Sequence, residues 1–350
     1  MRIRLAGRLA TVLGLMSCAA PLAGQPTVTV GGRLHTQFNT TSVSGESGSE
    51  FLIRRARVDA LIKVNQFLSG FVQPEYGGGR TSLRVAYARL DFGPVLYAMI
   101  GQYKRPFDLF MLTSSLDILA IERTGDIRGV DTCAGVGGIC SFGRFMEELE
   151  WAAPDIGVIL GGKDRTGRVS YAVSVMNGTG SNLADENGTK SYTGRLVLTP
   201  AADVRVAANL AVHDYVRAST GTNAYAPAFG GDLEIGNFFR GFHLQAGLVA
   251  GDNWRNPVAG NPTTFVTGQA IVTYKFPLPP SPYAEALEPL IRVSWGDPST
   301  ATPRDGGLLL TPGLVWYISG RNKLAANLDL WRPQQGATEW GLKLQSYLFF

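Results

Sequence analysis

Residues 203–213, DVRVAANLAVH, decide how this chain folds. Val204, Val206, Ala208, Leu210 and Val212 fall on one parity, and Arg205, Ala207, Asn209 and Ala211 on the other. Side chains of an extended backbone alternate between two faces, so this pattern specifies a strand with one apolar face. Arg168–Asn177 repeats it, with Val169, Tyr171, Val173 and Val175 opposite Arg168, Ser170, Ala172 and Ser174. Residues 52–64 place Leu52, Ala56, Val58, Ala60, Ile62 and Val64 on one face and Arg55, Arg57, Asp59 and Lys63 on the other. Similar strands are expected near 28–38, 67–76, 82–92, 95–103, 156–163, 191–199, 230–238, 240–250, 264–276, 286–296, 308–318, 322–331 and 338–350. With the three above, the count is sixteen.

The connections alternate in length. Long ones fall at 39–51, 77–81, 104–155, 178–190, 214–229, 251–263, 297–307 and 332–337. Short ones fall at 65–66, 93–94, 164–167, 199–203, 239–241, 277–285 and 319–321. A soluble β-sandwich has no reason to sort its loops by parity. A transmembrane barrel does, with short turns on one side, longer loops on the other and an even strand number. Strands of about ten residues also match a tilted crossing of the hydrocarbon layer. The last strand places Leu342, Leu344, Leu348 and Phe350 on one face, and Phe38, Tyr76, Phe92, Trp295, Trp331 and Trp340 sit where interfacial girdles are expected. Backbone groups within lipid all need partners, which closure into a barrel supplies. The expected fold is an all-β, closed antiparallel transmembrane β-barrel of about sixteen strands, wide enough for a water-filled lumen.

Composition agrees. The 350 residues are 45% apolar and 17% charged, unlike a disordered chain, and the 43 Gly show no collagen period. The net charge of +4 includes Arg2, Arg4 and Arg8; without them it is +1, so the basic balance does not indicate a nucleic-acid binder. Those arginines precede an apolar stretch over 9–20 and small residues at Ala23 and Gly24. Residues 1–24 therefore read as a secretory signal peptide and 25–350 as the barrel, with the first strand too close to the cleavage site to leave room for a plug domain. A lipoprotein with Cys18 as the attachment site is the alternative, since Leu15 and Ser17 fit one. Either way the protein is exported, to the outer membrane of a Gram-negative cell. Cys133 and Cys140 are expected to form a local disulfide in an oxidising compartment. No metal site is expected, because His35, His213 and His243 are scattered, and no cofactor is implied.

If the apolar parity faces lipid, the other faces the lumen. Basic lumenal candidates are Arg33, Arg55, Arg57, Lys63, Arg89, Lys104, Arg168, Arg195, Arg205, Lys275, Arg292, Lys323 and Lys343; acidic ones are Asp59, Glu75, Asp91, Asp232, Glu234, Asp329 and Glu339. Thirteen against seven makes a basic lumen, which concentrates anions. Arg55, Arg57, Lys63, Arg89, Lys104, Arg168, Arg205 and Arg292 are the leading anion-channel residues. Segment 104–155 is too long for an idle connection. It is expected to fold inward as the third outer loop, bringing Arg105, Arg123 and Arg128 to a constriction stiffened by Cys133–Cys140.

The segments FLIRRARVDALIKV (51–64), SLRVAYARLDFGP (82–94), IGQYKRPFDLFMLTSSLDILAIER (100–123) and YAVSVMNG (171–178) resemble the phosphate-selective porin O/P family. The resemblance is strongest over about 50–180. It implies a sixteen-stranded outer-membrane barrel, typically trimeric, with basic residues lining an anion channel. Arg55, Arg57 and Lys104 match basic family positions, whereas Arg105 replaces an acidic residue often found before the Pro-Phe pair.

The function read from the sequence is a passive diffusion channel, not an enzyme, favouring small anions such as phosphate. Its surroundings are outer-membrane lipid and lipopolysaccharide, and its partners small hydrophilic or anionic solutes and its own copies in a homotrimer. The alternatives are a non-transporting barrel serving as an adhesin or structural protein, and an outer-membrane hydrolase using a lumenal histidine with a nearby serine. Gly77-Gly78-Gly79-Arg80 lies between two strands with no helix after it and reads as a hairpin loop.

Overall fold

In the computed structural model, residues 25–43, 48–131 and 133–350 are described; the leader read at 1–24, with Cys18, lies outside the described residues. Sixteen strands follow one another: β1 (Thr27–Thr41), β2 (Ser49–Lys63), β3 (Leu68–Glu75), β4 (Ser82–Asp91), β5 (Tyr97–Lys104), β6 (Pro154–Lys163), β7 (Val169–Met176) and β8 (Ser191–Ala201). The second half comprises β9 (Val204–Val216), β10 (Asn223–Gly236), β11 (Gly241–Val258), β12 (Asn261–Pro277), β13 (Ala286–Asp297), β14 (Gly307–Ser319), β15 (Asn322–Pro333) and β16 (Glu339–Phe349). Each pairs with its chain neighbours, and β1 with β16, closing an antiparallel barrel. The seam runs from Arg33 opposite Phe349 to Thr41 opposite Gly341. It is extended by Gly32 N–H donating to Phe350 O at 2.9 Å and Phe350 N–H to Gly32 O at 3.2 Å. No backbone edge is left in the bilayer. No helix among the described residues is long and apolar enough to cross a membrane.

Outward positions are apolar: Val173, Val175, Leu196, Leu198, Val206, Leu210, Leu344 and Leu348 are exposed, as the alternation requires. Aromatics flank this belt. Phe51, Tyr192, Tyr225 and Trp340 lie toward the long loops, and Phe67, Phe92, Tyr171, Phe242 and Trp316 toward the short turns, all exposed. Trp331 departs from the girdle expected of it. It shares the inward parity of Asp329, is 1% exposed, and packs beside Leu309 and Gly307.

Two connections expected as long loops are mostly strand. β11 and β12 continue across 251–263 to a two-residue turn whose Ala259 (φ 50°) and Gly260 (φ 79°) both adopt positive φ, the geometry of a type I′ hairpin. Likewise 214–229 contracts to 217–222. The ladder here is written in Asn, Pro and Gly, residues that otherwise mark turns.

β2 also corrects the face assigned to Leu52. The pairing of β1 with β2 shifts between His35 (opposite Arg55) and Thr36 (opposite Ile53), leaving Arg54 as the extra residue of a β-bulge. Upstream of it Phe51 and Ile53 point outward, with the Phe51 ring 4.8 Å from that of Phe38, while Leu52 lies opposite buried Gln37 on the inward face. Downstream, Ala56 and Val58 resume the outward parity.

Segment 105–153 carries two short helices, α1 (Leu109–Leu112) and α2 (Phe142–Glu148), and the Cys133–Cys140 disulfide, whose Cα atoms are 5.2 Å apart. Phe107, Phe110, Phe142, Phe145, Met146, Leu149 and Trp151 form one buried cluster with Phe265, Val249, Leu309 and Trp331 of the wall. The rings of Phe145 and Phe265 stack at 5.0 Å. The wall makes room with small inward residues, Ala211, Ala224, Ala226, Ala228, Gly247 and Gly296. A Cβ on Gly296 would lie 2.4 Å from Cε2 of Phe145. The segment is thus held inside the barrel by a hydrophobic core of its own, against β9–β15.

Candidate pore constriction

The opposite wall, β1–β5, is where the charges gather. Two β-bulges shape it. The first, at Arg54, lets the consecutive Arg54 and Arg55 reach the same side, which a regular strand forbids. The second lies where Gln73 pairs with Val85 but Pro74 with Leu83, so that Arg84 is the extra residue of β4. Strict alternation points to neither Arg54 nor Arg84; the Arg-Arg dipeptide within an alternating strand is the one signal the sequence carries.

Glu122 of the loop joins the two parts. It is 5% exposed and accepts Arg54 Nε at 2.5 Å, Arg54 Nη2 at 3.0 Å and Arg55 Nη2 at 3.3 Å. Burial acts to raise its pKa, but the Arg55 and Arg54 guanidiniums outweigh burial and hold the carboxyl at about 2. Ser115 Oγ accepts Arg33 Nη1 at 2.7 Å and Arg57 Nη1 at 3.1 Å. Arg33 also pairs with Asp59 at 2.5 Å, and Arg57 with Glu75. Lys104 Nζ donates to the carbonyls of Met111 and Thr113, and Arg123 donates to Phe110 O at 3.1 Å and Thr113 O at 2.5 Å. Arg84 lies in the field of Glu147, Arg55, Glu75 and Arg54, and among the described residues no ion pair ties it down. Arg33, Arg54, Arg55, Arg57, Arg84, Lys104 and Arg123 thus face Asp59, Glu75, Glu122 and Glu147, a local excess of cations.

The other expected residues are spread more widely. Arg89 is paired with Asp91 at 2.7 Å, Arg205 with Glu234 at 3.0 Å, and both are partly open to water. Lys63 is exposed at the end of β2, opposite Thr27. Arg168 is not on the wall: it is exposed in the turn 164–168, before β7 begins. Arg292 faces inward but is covered by the loop. Its Nη1 donates to Glu122 O at 2.5 Å, Nη2 reaches Asp329 at 2.9 Å, and 1% of it is exposed. Arg105 is equally buried, bonded to Asp155 at 2.7 Å, Glu150 O at 2.8 Å and His213 Nδ1 at 3.0 Å. These two arginines fasten the loop to the wall and are shielded from a passing solute. Arg128 is exposed and reaches Glu50 at 3.3 Å.

Asp108 caps α1, its Oδ1 accepting Phe110 N–H at 2.6 Å and Met111 N–H at 3.2 Å. Its Oδ2 is buried without a partner. Burial, with repulsion from Asp232, pushes its pKa up to about 7.

Ser191, His213 and Asp214 meet in the interior, but not as a hydrolytic triad. The carboxylate accepts from the serine rather than the histidine, and His213 Nδ1 faces Arg105; all three side chains are buried away from solvent. Among the described residues no group of His, Cys, Asp and Glu could hold a metal ion.

A closed sixteen-stranded barrel with an apolar belt, a charged interior and a loop folded into its bore defines an outer-membrane channel of the porin class. More narrowly, the family model for phosphate-selective porins O and P matches residues 28–233, and the chain belongs to that family. No curated protein sequence matches it. Among solved structures it is similar to an anion-selective porin from Comamonas acidovorans, at 13% identity and a TM-score of 0.64, covering 93% of this chain and 100% of that one. It is also similar to the outer membrane channel DcaP of Acinetobacter baumannii (13% identity, TM-score 0.60, 93% and 98% covered). A third is the trimer form of OmpT from Vibrio cholerae (12% identity, TM-score 0.59, 93% and 100% covered). Such identities speak for the shared fold. Family and fold point to a channel, not an enzyme.

Proposed function

We propose that this porin is a passive diffusion channel that favours small anions, phosphate among them, exported to the Gram-negative outer membrane by its N-terminal leader. The observation that carries the reading is the cation excess on β1–β5 facing the inward loop, with Arg84 in no ion pair among the described residues. Fixed positive charge beside low-dielectric walls raises the local anion concentration. The anion-selective neighbour from Comamonas acidovorans supports it by analogy. A homotrimer is the assembly favoured, supported by the trimeric OmpT neighbour and by an outward apolar hollow lined by Phe38, Phe51, Leu314, Trp316 and Leu344. Lipid and lipopolysaccharide surround the rest of the belt.

The test is phosphate competition on purified protein in planar bilayers bathed in chloride. A saturable fall in chloride current as phosphate is added supports phosphate preference. A fall that never saturates leaves a general anion pore, and no current at all removes the porin reading.

A further inference from the structure

The inward positions of β4–β7 break the rule that a porin interior is polar. Tyr87, Tyr97, Met99, Tyr103 and Ile159 all point into the lumen, yet the aromatic core of the loop packs on β9–β15, away from them. Tyr97, Met99, Tyr103 and Ile159 line a cavity of about 570 Å³ on the turn side of the barrel, roofed by Pro106 and Leu112 of the loop. Met99 and Ile159 are the buried floor; the three tyrosines are half-buried, with Tyr87 and Tyr103 packed edge-on at 5.5 Å. The tyrosines are held in place by small neighbours. Gly161 carries no Cβ where one would lie 2.4 Å from the Tyr97 hydroxyl.

The rim is basic. Arg89 lies flat on the Tyr97 ring, 3.9 Å from its centroid, and Asp91 takes Nη2 at 2.7 Å and Nε at 3.0 Å. Clamped between ring and carboxylate, the guanidinium leaves Nη1 without a hydrogen bond among the described residues, aimed by its partners. Lys163 is exposed at the end of β6, Lys104 lies at the roof, and Arg195 is committed to Asp232. Among the described residues, the sole carboxylate lining the cavity is Asp91.

Inorganic phosphate gains nothing from such a floor, since a fully hydrated ion has no apolar surface to bury. From this pairing of an aromatic floor with a cationic rim, we propose that the cavity is a subsite for organic anions carrying an aromatic ring, aryl carboxylates in particular. The ring lies on Tyr97 and Tyr103, and the carboxylate meets Arg89 and Lys163. This deepens the anion-channel reading and rests on it, giving the porin a substrate class beyond simple inorganic ions.

The experiment compares benzoate with acetate as blockers of the current through reconstituted full-length protein, added from the turn side. Benzoate is expected to half-block at about one-tenth the acetate concentration, the factor one good ring contact supplies. The benzoate-to-acetate ratio is then measured in Tyr97→Ser with Tyr103→Ser, where it falls toward one. In Lys163→Glu, an exposed position that folding tolerates, both anions weaken. Equal blocking by the two acids in the wild type, or a ratio unchanged in the double variant, overturns the subsite. A channel that prefers cations in a salt gradient overturns the anion-porin reading and the subsite with it, whereas chloride preference with equal blocking by the two acids overturns the subsite alone.

Discussion

Replacing Glu122 with Gln isolates the contact between loop and wall. The native carboxylate neutralises two guanidiniums with 5% exposure, and its pKa is held at about 2 against an ordinary 4.5. That depression corresponds to ~3 kcal/mol of stabilisation by linkage, in the range found when one partner of a buried pair is removed. Because the folded pKa is depressed, the stabilisation is present above about pH 4.5 and is lost as pH falls from there toward 2. Glu122→Gln is therefore expected to unfold at lower denaturant, to lose that acid-side dependence, and to gain anion preference through the freed positive charge. Heat- and urea-dependent mobility of the folded barrel on gels, with reversal potentials in the same preparations, reads all three. If stability at pH 7 is unchanged and the acid limb of wild type and variant coincide, the loop is not fastened as described.

Four further expectations use other parts of the interior. Asp108→Asn keeps the helix cap and removes a buried carboxyl whose pKa of about 7 lies above its ordinary value, so wild-type loop docking weakens as pH rises through 7 and the variant's does not; melting at pH 5 and pH 9 distinguishes them. Arg84→Glu, which breaks no ion pair, shifts the reversal potential toward cations at a stability cost below about 1 kcal/mol. Arg55→Glu with Arg57→Glu strands Glu122 and Glu75 beside new carboxylates and is expected to impair folding, readable as loss of heat-modifiable mobility. Gly296→Ala places a methyl against Phe145, costs about 1–3 kcal/mol, and releases the loop enough to raise single-channel conductance and its noise.

The barrel was readable because lipid imposes one rule on every strand. Wherever a stretch such as 203–213 separates Val204, Val206 and Leu210 from Arg205 and Asn209, face and direction follow, and all sixteen strands occur where alternation places them. The interior obeys no comparably simple rule. Bulges at Arg54 and Arg84 rotate residues out of parity, and only the adjacency of Arg54 and Arg55 hints at one of them. Arg105 and Arg292 lie on the inner side as their sequence context suggests, but a loop covering them converts wall charges into fastenings, and covering is a tertiary fact. The small residues at Ala224, Ala226, Ala228 and Gly296 recorded where the loop docks; in isolation they read as weak strand positions. Hidden strand at 251–263 was masked by Asn and Pro, which a hairpin standing in water tolerates and a buried sheet does not.

The most direct measurement is the zero-current potential of the purified protein in a planar bilayer under a potassium chloride gradient. An open, ohmic conductance whose reversal potential favours chloride over potassium is expected. A membrane that stays silent, or a potential of the opposite sign, contradicts a water-filled barrel with a positively charged bore.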